Sequence, residues 1–373
     1  MREESSGPQG PLLMTPGPSR LPHEVRQAGA WPMLHHRSEE FSEYLSAVLQ
    51  DIRPLFGTKS HVLPLHTTGR GGMEAALANL CSPGDHVISC CNGKFGEMWA
   101  GFAEAFGLQV HRVSGNWSRS VDPEEVRKAL VDHPEARVMT VVHSDTSTGV
   151  LNDVEGVARV AREFGVLTLV DCISSLGATP IDFDRWEIDI AVTASQKGLM
   201  ASTGLCFVAV SSRAWNACES GTLPRSYLDF RHIREALERS HPQTPGSTPV
   251  HLVFQVYAAL KLIQAEGVET VFKRHRDMAS LARTGTAALG LARQCPKLRR
   301  LTPTVTGVRA PKGVTPESIR QEVRKRDVLL ASGLGPFRDS CFRIGHLGDI
   351  RVEDVERTLA VLEDALAELG VRT

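Results

Sequence analysis

The chain has 373 residues, 42% of them hydrophobic, which is enough apolar material for one large core or two ordinary ones. Its 42 lysines and arginines are mixed with 43 aspartates and glutamates, so the formal charge of −1 leaves no field of one sign to hold nucleic acid or anionic lipid. No stretch reaches the roughly 20 apolar residues of a membrane span, and MREESSGPQG lacks the basic and apolar regions of a signal peptide. A cytoplasmic protein that handles small molecules is expected. The eight cysteines show no CxxC spacing, and several, such as Cys172 and Cys206, sit in apolar runs, so they read as reduced thiols rather than a disulfide or zinc framework.

In chain order, LLMTPGPSRLP is rich in turn formers and predicts an extended arm over 1–20. A helix is expected from Glu40 to Leu55. Short apolar runs then alternate with amphipathic segments: HVLPLH, GMEAALANL, DHVISCC, FGEMWAGFAEAFG, LQVHRV, PEEVRKALVDH, RVMTVVHS, VEGVARVAREFG and VLTLVDCI. That alternation predicts a mostly parallel sheet covered by helices, extended by DIAVTAS and GLCFVAVS. Helices are expected from Val250 to Ala265 and from Val271 to Leu289. LTPTVTGVRAP and FRIGHLG read as strands, and PESIRQEVRKR and VEDVERTLAVLEDALAEL as helices. The pattern divides into a large domain over 21–265 and a smaller α+β domain over 266–373.

Three segments carry chemistry. In VTASQKGL, Lys197 follows an apolar strand among small residues, where partial desolvation lowers an amine's pKa and frees it to form a Schiff base. In VLTLVDCISSLG, Asp171 ends a β-rich run, 26 residues earlier, where a carboxylate faces the ligand crevice of a parallel sheet. In HTTGRGGMEAALANL, Gly69, Gly71 and Gly72 open a helix whose unobstructed amides suit a phosphate. Each has an ordinary reading when taken alone: a solvated loop lysine, a turn aspartate, a glycine turn before a helix. Their conjunction points to a cofactor with a carbonyl, a ring nitrogen and a phosphate.

Together with MTPGPSRLP, GKFGEMW, HSDTSTGVL, SGLGP and FRIGHLG, in that order, these segments make nearly the whole chain resemble the class V aminotransferases, in the branch that acts on alanine or serine and glyoxylate. The resemblance implies an α/β PLP-transferase fold of type I, with a mostly parallel seven-stranded sheet, a smaller C-terminal domain and pyridoxal 5'-phosphate (PLP) as cofactor. Lys197 would hold PLP as a Schiff base and shuttle the proton, and Asp171 would pair with the ring nitrogen. Phe95 would stack on one face of the ring, with Ile173 on the other, unless Phe95 is plain core. Thr146 would bond the phenolic oxygen. Gly69, Arg70, Gly71 and Gln196 would hold the phosphate, reached also by Ser247 and Thr248 of a second subunit, which implies a homodimer with shared sites. Arg343 and the backbone of Gly17 would grip the substrate carboxylate.

The expected reaction moves an amino group from a small amino acid to a small 2-oxo acid such as glyoxylate or pyruvate. A phosphonate transaminase, or a lyase or epimerase on the same scaffold, stays open. So do the parts played by Arg70, a departure from the family pattern, by His35, His36, Arg37 and His66, and by residues 225–244.

Overall fold

The structure is a computed structural model describing residues 10–113 and 115–371; most of the polar lead MREESSGPQG lies outside the described residues. The chain opens with β1 (Leu12–Met14), α1 (His23–Ala28) and α2 (Glu39–Phe56). The alternating region follows as β2 (His61–Leu65), α3 (Gly69–Leu80), β3 (His86–Cys90), α4 (Lys94–Ala105), β4 (Gln109–Val113), α5 (Pro123–Asp132) and β5 (Ala136–Val142). A short hairpin, β6 (Ser144–Asp145) and β7 (Val150–Leu151), precedes α6 (Val154–Glu163), β8 (Leu167–Asp171), β9 (Ile190–Ala194) and β10 (Cys206–Val210). Helices α7 (Ser212–Ser220), α8 (Phe230–Leu237), α9 (Val250–Glu266) and α10 (Val268–Ala288) lead to β11 (Val305–Arg309), α11 (Pro316–Arg324), β12 (Val328–Ser332), β13 (Cys341–Gly345) and α12 (Val352–Glu368).

Seven strands form one sheet in the order β2-β10-β9-β8-β5-β3-β4. From β9 to β4 every pairing is parallel, whereas β10 runs antiparallel to both β2 and β9. All five positions of β8, β9 and β10 are buried, as befits strands covered on both faces, and this is why they read as unbroken apolar runs. Helix ends obey local chemistry: Ser38 caps α2 through the amide of Phe41, and Gly57 closes it in the left-handed conformation. Asp153 caps α6 in the same way through Gly156.

A second sheet has the order β1-β12-β13-β11. Its apolar face, with Val328, Leu330, Phe342 and Ile344, packs on Leu362 and Leu366 of α12. The segment read as an extended arm supplies β1, which pairs in parallel with β12. Three residues beside TPGP show no period, so composition gave no sign of a strand. Yet Met14 is fully buried, which contributes about 1.5–3 kcal/mol towards fastening the start of the chain to this sheet. All eight cysteines are buried and unpaired.

Candidate active site

The reactive groups gather beyond the carboxyl ends of β5, β8 and β9, the edge of a parallel sheet where strand ends leave a crevice. Asp171 is the last residue of β8, lies opposite Val192 of β9 and is 4% exposed. Its Oδ1 accepts a hydrogen bond from the amide of Ile173 at 2.8 Å. Beyond β9 the chain turns through Ser195, whose Oγ donates to the carbonyl of Ser202 at 2.6 Å, and so presents Lys197. Lys197 Nζ donates to the carbonyl of Pro16 at 2.6 Å. Ser19 holds the turn from the same side, its amide donating to Gln196 O at 2.9 Å and its Oγ to Lys197 O at 2.8 Å.

Burial sets the electrostatics. It pushes the Asp171 carboxyl up to about 7, against the Ile173 amide; nearby Asp145 adds to the rise and Lys197 opposes it. It lowers the Lys197 amine to about 8; Asp171 resists and the Arg343 charge assists. Amine and carboxyl therefore feel each other's charge in a poorly solvated place, and a fraction of the amine is neutral near physiological pH.

At the head of α3, Thr68 is extended and its side chain caps nothing. The first helical bond is Gly72 N to Thr68 O, and within the described residues no hydrogen bond is made by the amides of Gly69, Arg70 or Gly71. A Cβ at Gly69 would come within 2.4 Å of the Ile173 side chain, and one at Gly71 within 2.1 Å of Thr67 Oγ1. Glycine is thus required for this turn to lie against Ile173 while leaving three donors free. Gln196, next to the lysine, has a buried side-chain oxygen without a partner, so its amide can turn either way towards an anion. Free amides, the orphaned Gln196 amide, a buried amine and a buried carboxyl match the phosphate, aldehyde and ring nitrogen of PLP.

The β6–β7 hairpin forms the next wall. Asp145 is completely buried, and its carboxylate accepts from the amides of Phe95 and Ser147 and from Ser147 Oγ. The amide bond from Phe95 ties the head of α4, and with it the half-buried Phe95 ring, to the hairpin. Thr146 is buried, and its carbonyl accepts from Arg343 Nη1 at 2.8 Å; Arg343 Nε donates to Ser332 O at 2.7 Å. Two fixed carbonyls thus orient a guanidinium that bridges the small sheet and the hairpin. Burial lowers Arg343 to about 10, with Asp145 opposing, and it stays charged at neutrality. Gly17, at φ 106°, lies so close to Lys197 that a Cβ would meet Nζ at 2.4 Å.

Sequence reading missed Asp145, Ser19 and the carbonyl of Pro16. Asp145 was visible as the acid of DTSTG, but the latch between residues 16–19 and the lysine turn spans nearly 180 positions and leaves no local trace. Arg70 is exposed and forms no ion pair among the described residues. Ser247 is exposed, while Thr248 is buried with its hydroxyl against Thr244; neither bonds to the groups around Lys197 within this chain. Arg37 reaches the same segment through Gln243 and the carbonyl of Pro245. His66, with an unpartnered buried Nε2, lines a cavity of about 220 Å³ together with Tyr227, His232 and Thr244, so residues 225–244 form one of its walls.

Comparison with known proteins places this arrangement in a family. The model of the family "Aminotransferase class-V" matches residues 20–346. A Synechococcus protein described as the small subunit of a soluble hydrogenase is 39% identical over 368 residues, covering 96% of this chain and 94% of that one. An L-aspartate–glyoxylate aminotransferase of Paracoccus denitrificans is 35% identical over 371 residues, covering 97% and 92%. The crystal structure of an alanine–glyoxylate aminotransferase from Nostoc sp. is 30% identical and superposes with a TM-score of 0.91 over 98% of both chains. With the family match running through β2, the lysine turn and Arg343 alike, the chain belongs to the class V aminotransferases, PLP-dependent transaminases of fold type I.

Proposed function

We propose that the protein transfers an amino group from a small amino acid to a small 2-oxo acid, glyoxylate or pyruvate, using PLP carried on Lys197. The observation that carries the reading is the meeting of three groups at one strand edge: a buried amine, a buried carboxyl whose charge it feels, and a helix head with free amides. PLP, when bound, supplies a ring that withdraws electrons from the substrate's α-carbon. Lys197 would carry it through Nζ, Asp171 would hold a proton on the ring nitrogen, and Gly69, Arg70, Gly71 and Gln196 would bind the phosphate. Phe95 and Ile173 would confine the ring and Thr146 its phenolic oxygen.

The chain's own groups then divide the work. Arg343, its fork oriented by Ser332 O and Thr146 O, would bind the carboxylate common to both substrates, with the backbone at Gly17 closing over it. Lys197 Nζ, freed when the substrate's amino group takes its place on the cofactor and poised at about 8, would take the proton from the α-carbon. Burial of the site keeps water from competing. The segment with Ser247 and Thr248 would complete the phosphate site of a second copy in a homodimer acting in the cytoplasm. The glyoxylate aminotransferases among the relatives support this choice of acceptor.

A donor screen against glyoxylate, pyruvate and 2-oxoglutarate tests the substrates. A single-turnover assay tests the reaction class: without acceptor, a transaminase releases one equivalent of oxo acid per site and stops. Continued release would make it a lyase, and inversion of the donor without release an epimerase. Preference for an aminoalkylphosphonate would make it a phosphonate transaminase.

A further inference from the structure

At the opposite, amino-terminal end of the parallel sheet, three strands bring nitrogen and oxygen donors together. His86 opens β3, His111 lies in the edge strand β4, and Glu135 immediately precedes β5. In register His86 stands opposite Gln109 of β4 and Ala136 of β5, so its side chain lies between those of His111 and Glu135. His86 Nδ1 is 3.0 Å from His111 Nε2 and 2.7 Å from Glu135 Oε1, and one ligand atom from each residue lies within 4.8 Å of the others. The His133 ring stacks on His111 with centroids 3.4 Å apart, and its Nδ1 is 3.5 Å from the same Glu135 oxygen.

This arrangement is poorly satisfied by protons. His86 Nδ1 carries one proton at most, yet faces both a carboxylate oxygen and another imidazole nitrogen. If Nδ1 carries the proton, His111 can only share the one N–H already aimed at Glu135; if Nδ1 instead accepts from His111 Nε2–H, its lone pair opposes the Glu135 carboxylate. A cation between the three would satisfy all of them. Donors about 2.0–2.1 Å from a tetrahedral Zn²⁺ sit about 3.3–3.4 Å apart, so the 3.0 Å and 2.7 Å separations at His86 Nδ1 would widen by about 0.3–0.7 Å around an ion. All of the side chains are partly exposed, so an ion has a way in.

We propose that His86, His111 and Glu135 bind a Zn²⁺ ion, with His133 or water completing the tetrahedron. Two imidazoles and one carboxylate suit a borderline metal and disfavour Mg²⁺ and Ca²⁺, which prefer oxygen. The site lies at the end of the sheet away from Lys197, so its role is to clamp the edge strand β4 onto β3 and the start of β5, where an unpaired edge is otherwise open to other chains.

Calorimetric titration of the tag-free holoenzyme with zinc sulfate tests this. Wild type and His241→Ala, which alters a surface histidine elsewhere, should each bind one zinc per chain and melt at a higher temperature with zinc than without. His111→Ala should lose the bound zinc. Glu135→Gln, a nearly isosteric change at an exposed position, should bind at least about tenfold more weakly with its fold intact, because a charged ligand is gone. Zinc-edge absorption should report two histidine nitrogens and light oxygen ligands. Failure of wild type to take up zinc, or unchanged uptake by both His111→Ala and Glu135→Gln, overturns the proposal.

Discussion

Replacing Asp171 with asparagine separates what the crevice costs from what it does. In the folded chain burial moves this carboxyl from 3.8 to about 7. That is about 3 pH units, or about 4 kcal/mol at about 1.36 kcal/mol per unit. The folded value stands above the unfolded one, so the stability linked to this group is full below about pH 4 and falls as pH rises towards about 7, because the unfolded chain releases its proton first. Above about pH 7 protein stripped of cofactor bears the whole penalty. An asparagine side chain here would keep an acceptor for the Ile173 amide but leave buried N–H groups short of partners, at about 1–2 kcal/mol. The net gain at about pH 8 is then about 2–3 kcal/mol, which for 373 residues is a rise of about 3–4 °C in melting temperature. Thermal melts of cofactor-free wild type and Asp171→Asn between about pH 4 and 8 should show the variant melting below wild type at the acid end, the curves crossing near about pH 5, and the variant melting above it at the alkaline end. Transaminase activity of the loaded variant should fall at least about 100-fold, because one partner of a buried charged pair is missing. A variant less stable than wild type at the alkaline end, or a difference that ignores pH, would refute the placing of this carboxyl in a dry crevice.

Arg343→Lys should raise KM for donor and acceptor together by at least about 30-fold, since an ammonium cannot hold Ser332 O and Thr146 O while still meeting two carboxylate oxygens; steady-state kinetics with both substrates check this. Gly17→Ala forces a Cβ onto Lys197 Nζ at φ 106° and should reduce kcat while leaving the circular dichroism of the fold unchanged. Gln196→Leu removes the orphaned amide and should weaken PLP retention about tenfold on dialysis without lowering the melting temperature of cofactor-free protein.

Much of this architecture is written locally. Each of β8, β9 and β10 is a five-residue run buried along its length, and α2, α9, α10 and α12 end within three residues of where the apolar periodicity and turn formers place them. Asp171 was legible because it terminates such a run, and Lys197 because it follows one after a short turn through Ser195 and Gln196. What stayed hidden depends on distant partners. The direction of β10, antiparallel between β2 and β9, follows from how the chain after Lys197 returns, which no residue pattern encodes. The three residues of β1 become a strand only because β12 is there to pair with them. Asp145 looked like one polar residue in a polar loop, yet it is completely buried, holding Phe95 and Ser147 in place and opposing the desolvation of Arg343.

The central claim is that the amine of residue 197 carries the cofactor. Borohydride reduction of the purified holoenzyme, digestion and mass spectrometry of the peptides should find a phosphopyridoxyl group on the peptide containing SQKGL, at Lys197 and at no other lysine. A label on a different lysine, or none on protein that retains PLP, would contradict it.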